Sequence, residues 1–352
     1  MSKHPLDDQA FITELDPKGM YALTCDFPNQ CRRALEIFQA RPVHFKKPAQ
    51  IILSGLGGSA AGGDFARCLC EAEGTIPFLV NRDYFLPGFV SPETLVVCSS
   101  YSGNTEETLS AYHDARAKGA QIIVLTSGGQ LATLAQEHGY PAIIIPGGQP
   151  PRTALGFMLI PLVALLAQSG AINAQAFEAA FSTLDSCVQE WSAEVALENN
   201  PTKQLAEALV GKVANLYGLG GPAAAVANRW KGQINENAKN MAFANVFPEL
   251  NHNEILGWVA SKSQNVAWVV VNMQCGKPTA KILARAQVTA ELIGKDATFF
   301  DVESKGDSLL SQMLSLVLFG DFVSIYLAAL NRVDPENIDS INYLKSALAN
   351  VS

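Results

Sequence analysis

Short apolar runs alternate with longer stretches of helical periodicity through the first half of the chain. Ile51-Ile-Leu-Ser54, Phe78-Leu-Val80, Thr94-Leu-Val-Val-Cys98, Gln121-Ile-Ile-Val-Leu125 and Ala142-Ile-Ile-Ile145 are continuously apolar and β-branched, and each reads as a strand buried on both faces. Helix-like runs separate them, among them a helix to about Glu73 after Gly55-Leu-Gly-Gly-Ser-Ala-Ala-Gly-Gly63 and another from Glu106 to Lys118. Strands separated in this way by helices predict a parallel sheet covered on both faces.

Ahead of these runs, residues 1–48 read as an N-terminal helical segment, with helices over Pro17 to Tyr21 and Gln30 to Gln39. The first domain is expected over 49–170, a helical connector over 171–210 and a second domain over 211–352. The second domain repeats the first. Gly55-Leu-Gly-Gly-Ser-Ala-Ala61 aligns with Gly218-Leu-Gly-Gly-Pro-Ala-Ala224 at a constant shift of 163, and both copies follow a strand and open a helix. Val266 to Val271 stands where Leu95 to Cys98 stood, and Thr298-Phe-Phe-Asp301 is taken as the echo of Ala142 to Ile145. The pattern predicts an α/β protein of two tandem doubly wound parallel-sheet domains with flanking helices.

Composition narrows the partners. Net charge is −8 and only 16% of residues are charged, which argues against nucleic acid or an anionic membrane surface as the main partner. The seven scattered cysteines fit reduced thiols in the cytoplasm, and the polar N-terminus has no secretory apolar core. Two apolar stretches, Ala154 to Ala167 with Pro161 inside it and Leu309 to Leu330 interrupted by Ser311, Gln312, Asp321 and Ser324, fit buried core or subunit-interface helices better than membrane spans.

The candidate chemistry lies in three places. Ser99-Ser-Tyr-Ser-Gly-Asn-Thr105 sits between a buried strand and a helix, and the hydroxyls of Ser100, Ser102 and Thr105 are suited to donate to a phosphate beside the helix N-terminus. In the second copy Ser59 becomes Pro222, and Asn272-Met-Gln-Cys-Gly-Lys277 lacks the serines, so only the first domain is expected to hold phosphate. Asn235-Glu-Asn237, on a run from Ala223 to Asn240, and Pro248-Glu-Leu-Asn-His-Asn-Glu254 supply a carboxylate and the second half's only histidine, suitable partners for proton transfer. A dinucleotide reading of Gly55-x-Gly57, with Ala60 in the fingerprint and Asp83 as the ribose acid, leaves the duplicated glycine turn and the serine-rich loop unexplained.

Together, Gly-Gly-Ser-Ala at 57–60, Ser-Tyr-Ser-Gly-Asn-Thr at 100–105 with Glu107-Thr108, Pro151-Arg152, Asn235-Glu236-Asn237 and Glu249-Leu-Asn-His252-Asn-Glu254 resemble the bifunctional phosphoglucose/phosphomannose isomerases of the phosphoglucose isomerase superfamily, over the chain from about 30 to the end. The serine motif alone marks a sugar isomerase (SIS) domain; the Glu and His segments, sixteen residues apart, are more specific. The resemblance implies two flavodoxin-like SIS domains, with Gly58, Ser59, Ser100, Ser102 and Thr105 holding the sugar phosphate and Arg152 stabilising an enediolate. It further implies Glu236 as the base moving a proton between C1 and C2, and His252 in ring opening, donated by the neighbouring subunit of a homodimer. Lys345 is the nearest match to a C-terminal active-site lysine. A threonine that the family places near this lysine, associated with acceptance of both epimers, has no counterpart in 331–352. No cofactor and no metal is implied. Two rivals share the phosphate cradle: a non-catalytic sugar-phosphate sensor, and an isomerase of another phosphosugar.

Overall fold

The computed structural model describes residues 4–348. The chain opens with α1 (Gln9–Thr13), α2 (Met20–Cys25) and α3 (Phe27–Ala40). Then come β1 (Gln50–Ser54), α4 (Gly57–Glu73), β2 (Phe78–Asn81), β3 (Thr94–Ser100), α5 (Glu106–Ala117), β4 (Gln121–Thr126), α6 (Gly129–His138) and β5 (Ala142–Ile144). Helices α7 (Leu155–Gln168), α8 (Phe177–Trp191) and α9 (Pro201–Leu209) lead into the second half. That half runs β6 (Val213–Leu219), α10 (Gly221–Ala238), β7 (Ala242–Phe247), α11 (Glu254–Ala260), α12 (Lys262–Asn265), β8 (Trp268–Gln274), α13 (Ala280–Ile293), β9 (Thr298–Glu303), α14 (Leu309–Leu330) and α15 (Asp339–Leu348).

Two compact units share this chain. One, the first-sheet unit, holds Asp26–Asp185 and Lys305–Leu314; the other, the second-sheet unit, holds residues up to Cys25, Ser186–Ser304 and residues from Ser315 on. The helical segment over 1–48 is therefore divided, α1 and α2 falling with the second sheet and α3 with the first, and residues 171–210 are likewise split.

All five strands of the first sheet are parallel, in the order β2-β1-β3-β4-β5. This is the doubly wound order with its switch point between β1 and β3, where ligands bind at the carboxyl ends of the strands. Register sets Ser54 beside Cys98 and Ser100 beside Thr126, so the loops that leave β1, β3 and β4 emerge together. On one face Ile52, Val96, Cys98, Ile122 and Val124 pack with Ala111, Tyr112 and Ala115 of α5 and Leu131 and Ala135 of α6. On the other lie α4 and α7. Gly63 of α4 sits so close to Leu53 and Val80 that an added Cβ would lie 2.8 Å from a Leu53 methyl.

In the second sheet the order is β7-β6-β8-β9, again all parallel. Strand β7, Ala-Phe-Ala-Asn-Val-Phe, escapes the apolar pattern because it is an edge strand whose middle residues are half-buried or exposed. The repeat also needs one correction. β9 lies beside β8 as β4 lies beside β3, so Thr298–Glu303 echoes β4 rather than Ala142 to Ile145, and among the described residues β5 has no counterpart here. α11 and α13 cover one face through Tyr217, Leu219, Phe247, Trp258, Val270 and Ile293. α10 covers the other, where the backbone of Gly218 meets Ala224 too closely for any side chain, an added Cβ falling 2.4 Å from its nitrogen.

Helix α14 is long and apolar enough to cross a bilayer, yet 94% of its most apolar window is buried. Helix α7 is similarly enclosed, Leu155 through Leu166 all being buried. Both apolar stretches are thus core helices, and their polar residues are matched inside the fold: Asp321 of α14 accepts from the guanidinium of Arg229 at 2.9 Å and from Gln233 at 2.8 Å. Burial raises the Asp321 carboxyl above its usual range, against the pull of Arg229 and Gln233.

Candidate active site

In the first-sheet unit the expected phosphate residues and Arg152 converge on the carboxyl edge of the sheet. Ser99 and Ser100 are the last residues of β3 rather than loop residues, and Ser100 is buried. Its hydroxyl shares a 2.8 Å hydrogen bond with Thr105 Oγ1 and accepts from the Gly103 amide at 3.1 Å. Ser102, exposed, accepts from the Asn104 amide at 3.2 Å, and Ser59, in the first turn of α4, accepts from the Tyr101 amide at 3.3 Å. The amide contacts use the hydroxyl oxygens as acceptors, and one proton of the Ser100–Thr105 pair is spent between them, which leaves the protons of Ser59, Ser102 and one of that pair to offer a ligand anion. The amides of Glu106, Glu107 and Thr108, in the first turn of α5, have no partner within the helix, and Thr105 at the cap makes no side-chain capping bond. Buried Thr108 Oγ1 and Ser99 Oγ lack partners.

What holds this loop is its neighbour after β4. Gly103 has φ of +69°, and an added Cβ would fall 1.9 Å from Gly128 O, so only glycine fits. Its carbonyl accepts from Leu131 N at 2.9 Å, and Asn104 Oδ1 accepts from Gln130 N at 2.9 Å. Tyr101 O in turn accepts from both the amide and the hydroxyl of Ser127, at 3.0 and 2.7 Å.

Arg152 lies in the 3₁₀ turn Pro151–Thr153 and is buried, with 7% exposure. The turn rests on the start of α4: a Cβ added to Gly58 would stand 3.2 Å from Pro151 O and 3.9 Å from the Arg152 Cα. The backbone of Arg152 thus approaches the Gly58-Ser59 turn, the same turn whose serine bonds Tyr101. A buried guanidinium on a turn packed against the start of α4 suits an oxyanion or phosphate.

The second-sheet unit carries the other expected residues. Glu236 is half-buried in the last turn of α10. Its neighbours fix that turn: Asn235 Oδ1 accepts from Ala242 N at 3.2 Å, and Asn237 donates to Ser324 Oγ at 2.9 Å. His252 is exposed in the 3₁₀ turn Glu249–His252. That turn is anchored by Asn251, which donates to Thr289 Oγ1 at 2.8 Å, and by Glu254, which accepts from the hydroxyl of Tyr217 at 2.7 Å and from Asn245.

Glu236 and His252 are not brought together within one chain. Asn235 touches the first residue of β7, whereas His252 follows that strand's last residue, and six strand residues between them span about 20 Å. Lys345 stands exposed on α15 along with Ile341, Tyr343 and Leu344.

At the carboxyl edge of the second sheet a cavity of about 630 Å³ is lined by Asn272, Gln274, Asp301, Glu303, Glu291 and Lys295. Its carboxylates suit an anion poorly. Asp83, the candidate ribose acid, instead accepts from the amide of Tyr84 at 2.7 Å. Sequence reasoning missed Gln30, Ser127 and Gln149, whose contacts shape the first site; a lone Gln in an amphipathic helix gives no signal of its role, because the partner backbone lies more than 100 residues away.

The SIS domain family matches residues 44–165, and the bacterial phospho-glucose isomerase C-terminal SIS domain matches residues 198–348. A bifunctional phosphoglucose/phosphomannose isomerase from Caldicellulosiruptor bescii is 41% identical over 337 residues, covering 94% of this chain and 99% of that protein. One of the same name from Thermoplasma acidophilum is 34% identical over 86% of this chain and 90% of its own length. A hypothetical protein from Thermus thermophilus shares the fold, with a TM-score of 0.74 at 15% identity, over 98% of this chain and 94% of that one. With two parallel SIS sheets and sequence relatives spanning nearly its whole length, the chain belongs to the bifunctional phosphoglucose/phosphomannose isomerase family.

Proposed function

We propose that this protein interconverts glucose 6-phosphate, and mannose 6-phosphate, with fructose 6-phosphate through a cis-enediolate. The observation that carries this reading is the gathering of Gly58, Ser59, Ser100, Ser102, Thr105 and Arg152 on one sheet edge, in a chain whose other unit supplies Glu236 and His252. The hydroxyls and the α5 amides hold the phosphate, which fixes the substrate remote from the reacting carbons. Glu236 removes the proton from C2 of the open-chain aldose and returns it to C1, so the C2–H bond breaks and a C1–H bond forms, while the hydroxyl proton passes from O2 to O1 and the carbonyl moves from C1 to C2. Arg152 stabilises the negative oxygen that develops between these steps. His252 moves the proton that opens the sugar ring, and Lys345 completes the site.

The separation of Glu236 and His252 along β7 supports a homodimer in which each histidine serves the other subunit.

The test is direct. Purified protein, without added metal or nicotinamide, is expected to form fructose 6-phosphate from glucose 6-phosphate. Glu236→Gln, an isosteric change at a half-exposed position, is expected to lower kcat by about 10³ with the fold retained. Tight phosphosugar binding without turnover would mean a sensor; turnover indifferent to Glu236→Gln would remove that residue as the base.

A further inference from the structure

The segment that carries Arg152 is gripped from two sides by residues outside the family's motif roles. On its C-terminal side, Gln30 of α3 donates through Nε2 to Thr153 O at 2.9 Å and accepts through Oε1 from Gly156 N at 2.8 Å. Gln30 is 2% exposed, and its carboxamide reads one acceptor and one donor of the same backbone turn. The fit leaves no spare room: a Cβ on Gly156 would lie 2.7 Å from Gln30 Oε1. On the N-terminal side, the hydroxyl of Tyr101 accepts from Gln149 N at 3.3 Å. Tyr101 is itself tied to the phosphate cradle, its amide donating to Ser59 Oγ and its carbonyl accepting from Ser127. A Cβ on Gly147 would meet Ser127 Oγ at 3.2 Å, so the same serine also abuts the start of the Arg152 segment.

We propose that Gln30 and Tyr101 are positioning residues for Arg152, gripping residues 149–156 so that the guanidinium is held at a set place relative to the hydroxyl cluster. The inference rests on the reading above in which Arg152 stabilises the enediolate. A three-residue 3₁₀ turn has few backbone hydrogen bonds of its own to fix how it is placed; two side-chain grips replace those that a longer helix would supply. Because neither residue is assigned a contact with the phosphate, their loss acts on the reacting step and not on anchoring. Tyr101 bonds Ser59 only through its backbone, which substitution of the side chain leaves in place.

The test compares Tyr101→Phe and Gln30→Met, each made in the wild-type enzyme and in an Arg152→Lys background. In the wild type each is expected to lower kcat for glucose 6-phosphate about three- to tenfold, as for loss of one or two neutral hydrogen bonds. KM, and inhibition by a phosphosugar that cannot isomerise (1,5-anhydroglucitol 6-phosphate), should change less than twofold. In the Arg152→Lys background the same changes should cost less than twofold, since the group being positioned has already lost its geometry. Equal losses in both backgrounds, or losses confined to KM and inhibitor affinity, would overturn the proposal. Should Gln30→Met fail to fold, Tyr101→Phe carries the comparison alone, its ring remaining to fill the same space. Failure of the reading beneath it looks different: no turnover by the wild type, or an Arg152→Lys enzyme with undiminished kcat, would strike out the role of Arg152 and the proposal with it.

Discussion

The two Gly-Leu-Gly-Gly turns begin from nearly the same residues and end in different chemistry. In the first-sheet unit the turn opens α4 with Ser59, whose hydroxyl meets the loop after β3, and the buried polar residues along that edge are largely hydroxyls: Ser54, Ser99, Ser100, Thr108 and Thr126. In the second-sheet unit Pro222 opens α10 without hydroxyl or amide hydrogen, and beside buried hydroxyls such as Thr202, Thr289 and Ser324 the interior holds amides and charges, Asn215, Asn237, Gln233, Lys203, Arg229 and Asp321. Hydroxyls can turn their protons toward an incoming anion. Amides and ion pairs are already committed to one another and serve to fix the fold. On the function proposed above, one unit receives the phosphate and the other holds a carboxylate and an imidazole on rigid elements.

The sharpest way to break that contrast is to exchange what separates the turns. Removing two phosphate donors, Ser100→Ala with Thr105→Ala, is expected to lower kcat/KM by about 10³, at about 2 kcal/mol for each charge-assisted bond lost. Pro222→Ser, which restores the hydroxyl in the second turn, should change kcat/KM less than twofold. Steady-state rates with glucose 6-phosphate decide it. A comparable loss from Pro222→Ser would show that both turns touch substrate.

Much of this division was legible in the sequence. The buried strands of the first sheet are unbroken β-branched runs, and the serine motif names its own loop. Strand β7 gave no clear signal because it is an edge strand with a half-buried middle, and its Asn245 is matched only by Glu254, nine residues on. Gln30 was invisible for a related reason: what it grips lies at Thr153 and Gly156, and no local pattern records a contact across that separation. Pairing order was hidden as well. Thr298–Glu303 was matched to β5 by its place near the end of the repeat, whereas its hydrogen bonds to β8 make it the counterpart of β4.

The committed polar groups of the second-sheet unit predict the next effect in size. Lys203 is fully buried, and its ammonium donates to Asp7 at 3.2 Å, Ala193 O at 3.0 Å and Val195 O at 2.7 Å. Lys203→Met is expected to cost about 3 kcal/mol, because it strands two carbonyls and a carboxylate. Burial alone would raise the Asp7 carboxyl, but donation from the Leu197 amide and from Lys203 outweighs it and holds the group below the ordinary aspartate range. A carboxyl lowered by folding adds stability above its unfolded value, and that stability is lost as pH falls through the lower folded value. Urea midpoints measured from pH 7 down to pH 3 should therefore decline less steeply in Lys203→Met than in the wild type. Parallel declines would show that Asp7 takes its environment from the amide alone.

The smallest effect separates the two units by what their glycines are for. Gly232, in the middle of α10, has nothing within 4 Å of an added Cβ and lies in ordinary helical backbone, so Gly232→Ala should stabilise the protein by about 0.5–1 kcal/mol. Gly103→Ala should destabilise it and weaken phosphosugar binding as well, because the left-handed backbone and the carbonyl of Gly128 both exclude a methyl group. Thermal melts with and without glucose 6-phosphate read both. A Gly232→Ala protein less stable than the wild type would mean that α10 needs the freedom of that glycine to place Glu236, one turn further along the same helix, and the second unit would then be less rigid than its amides and ion pairs imply.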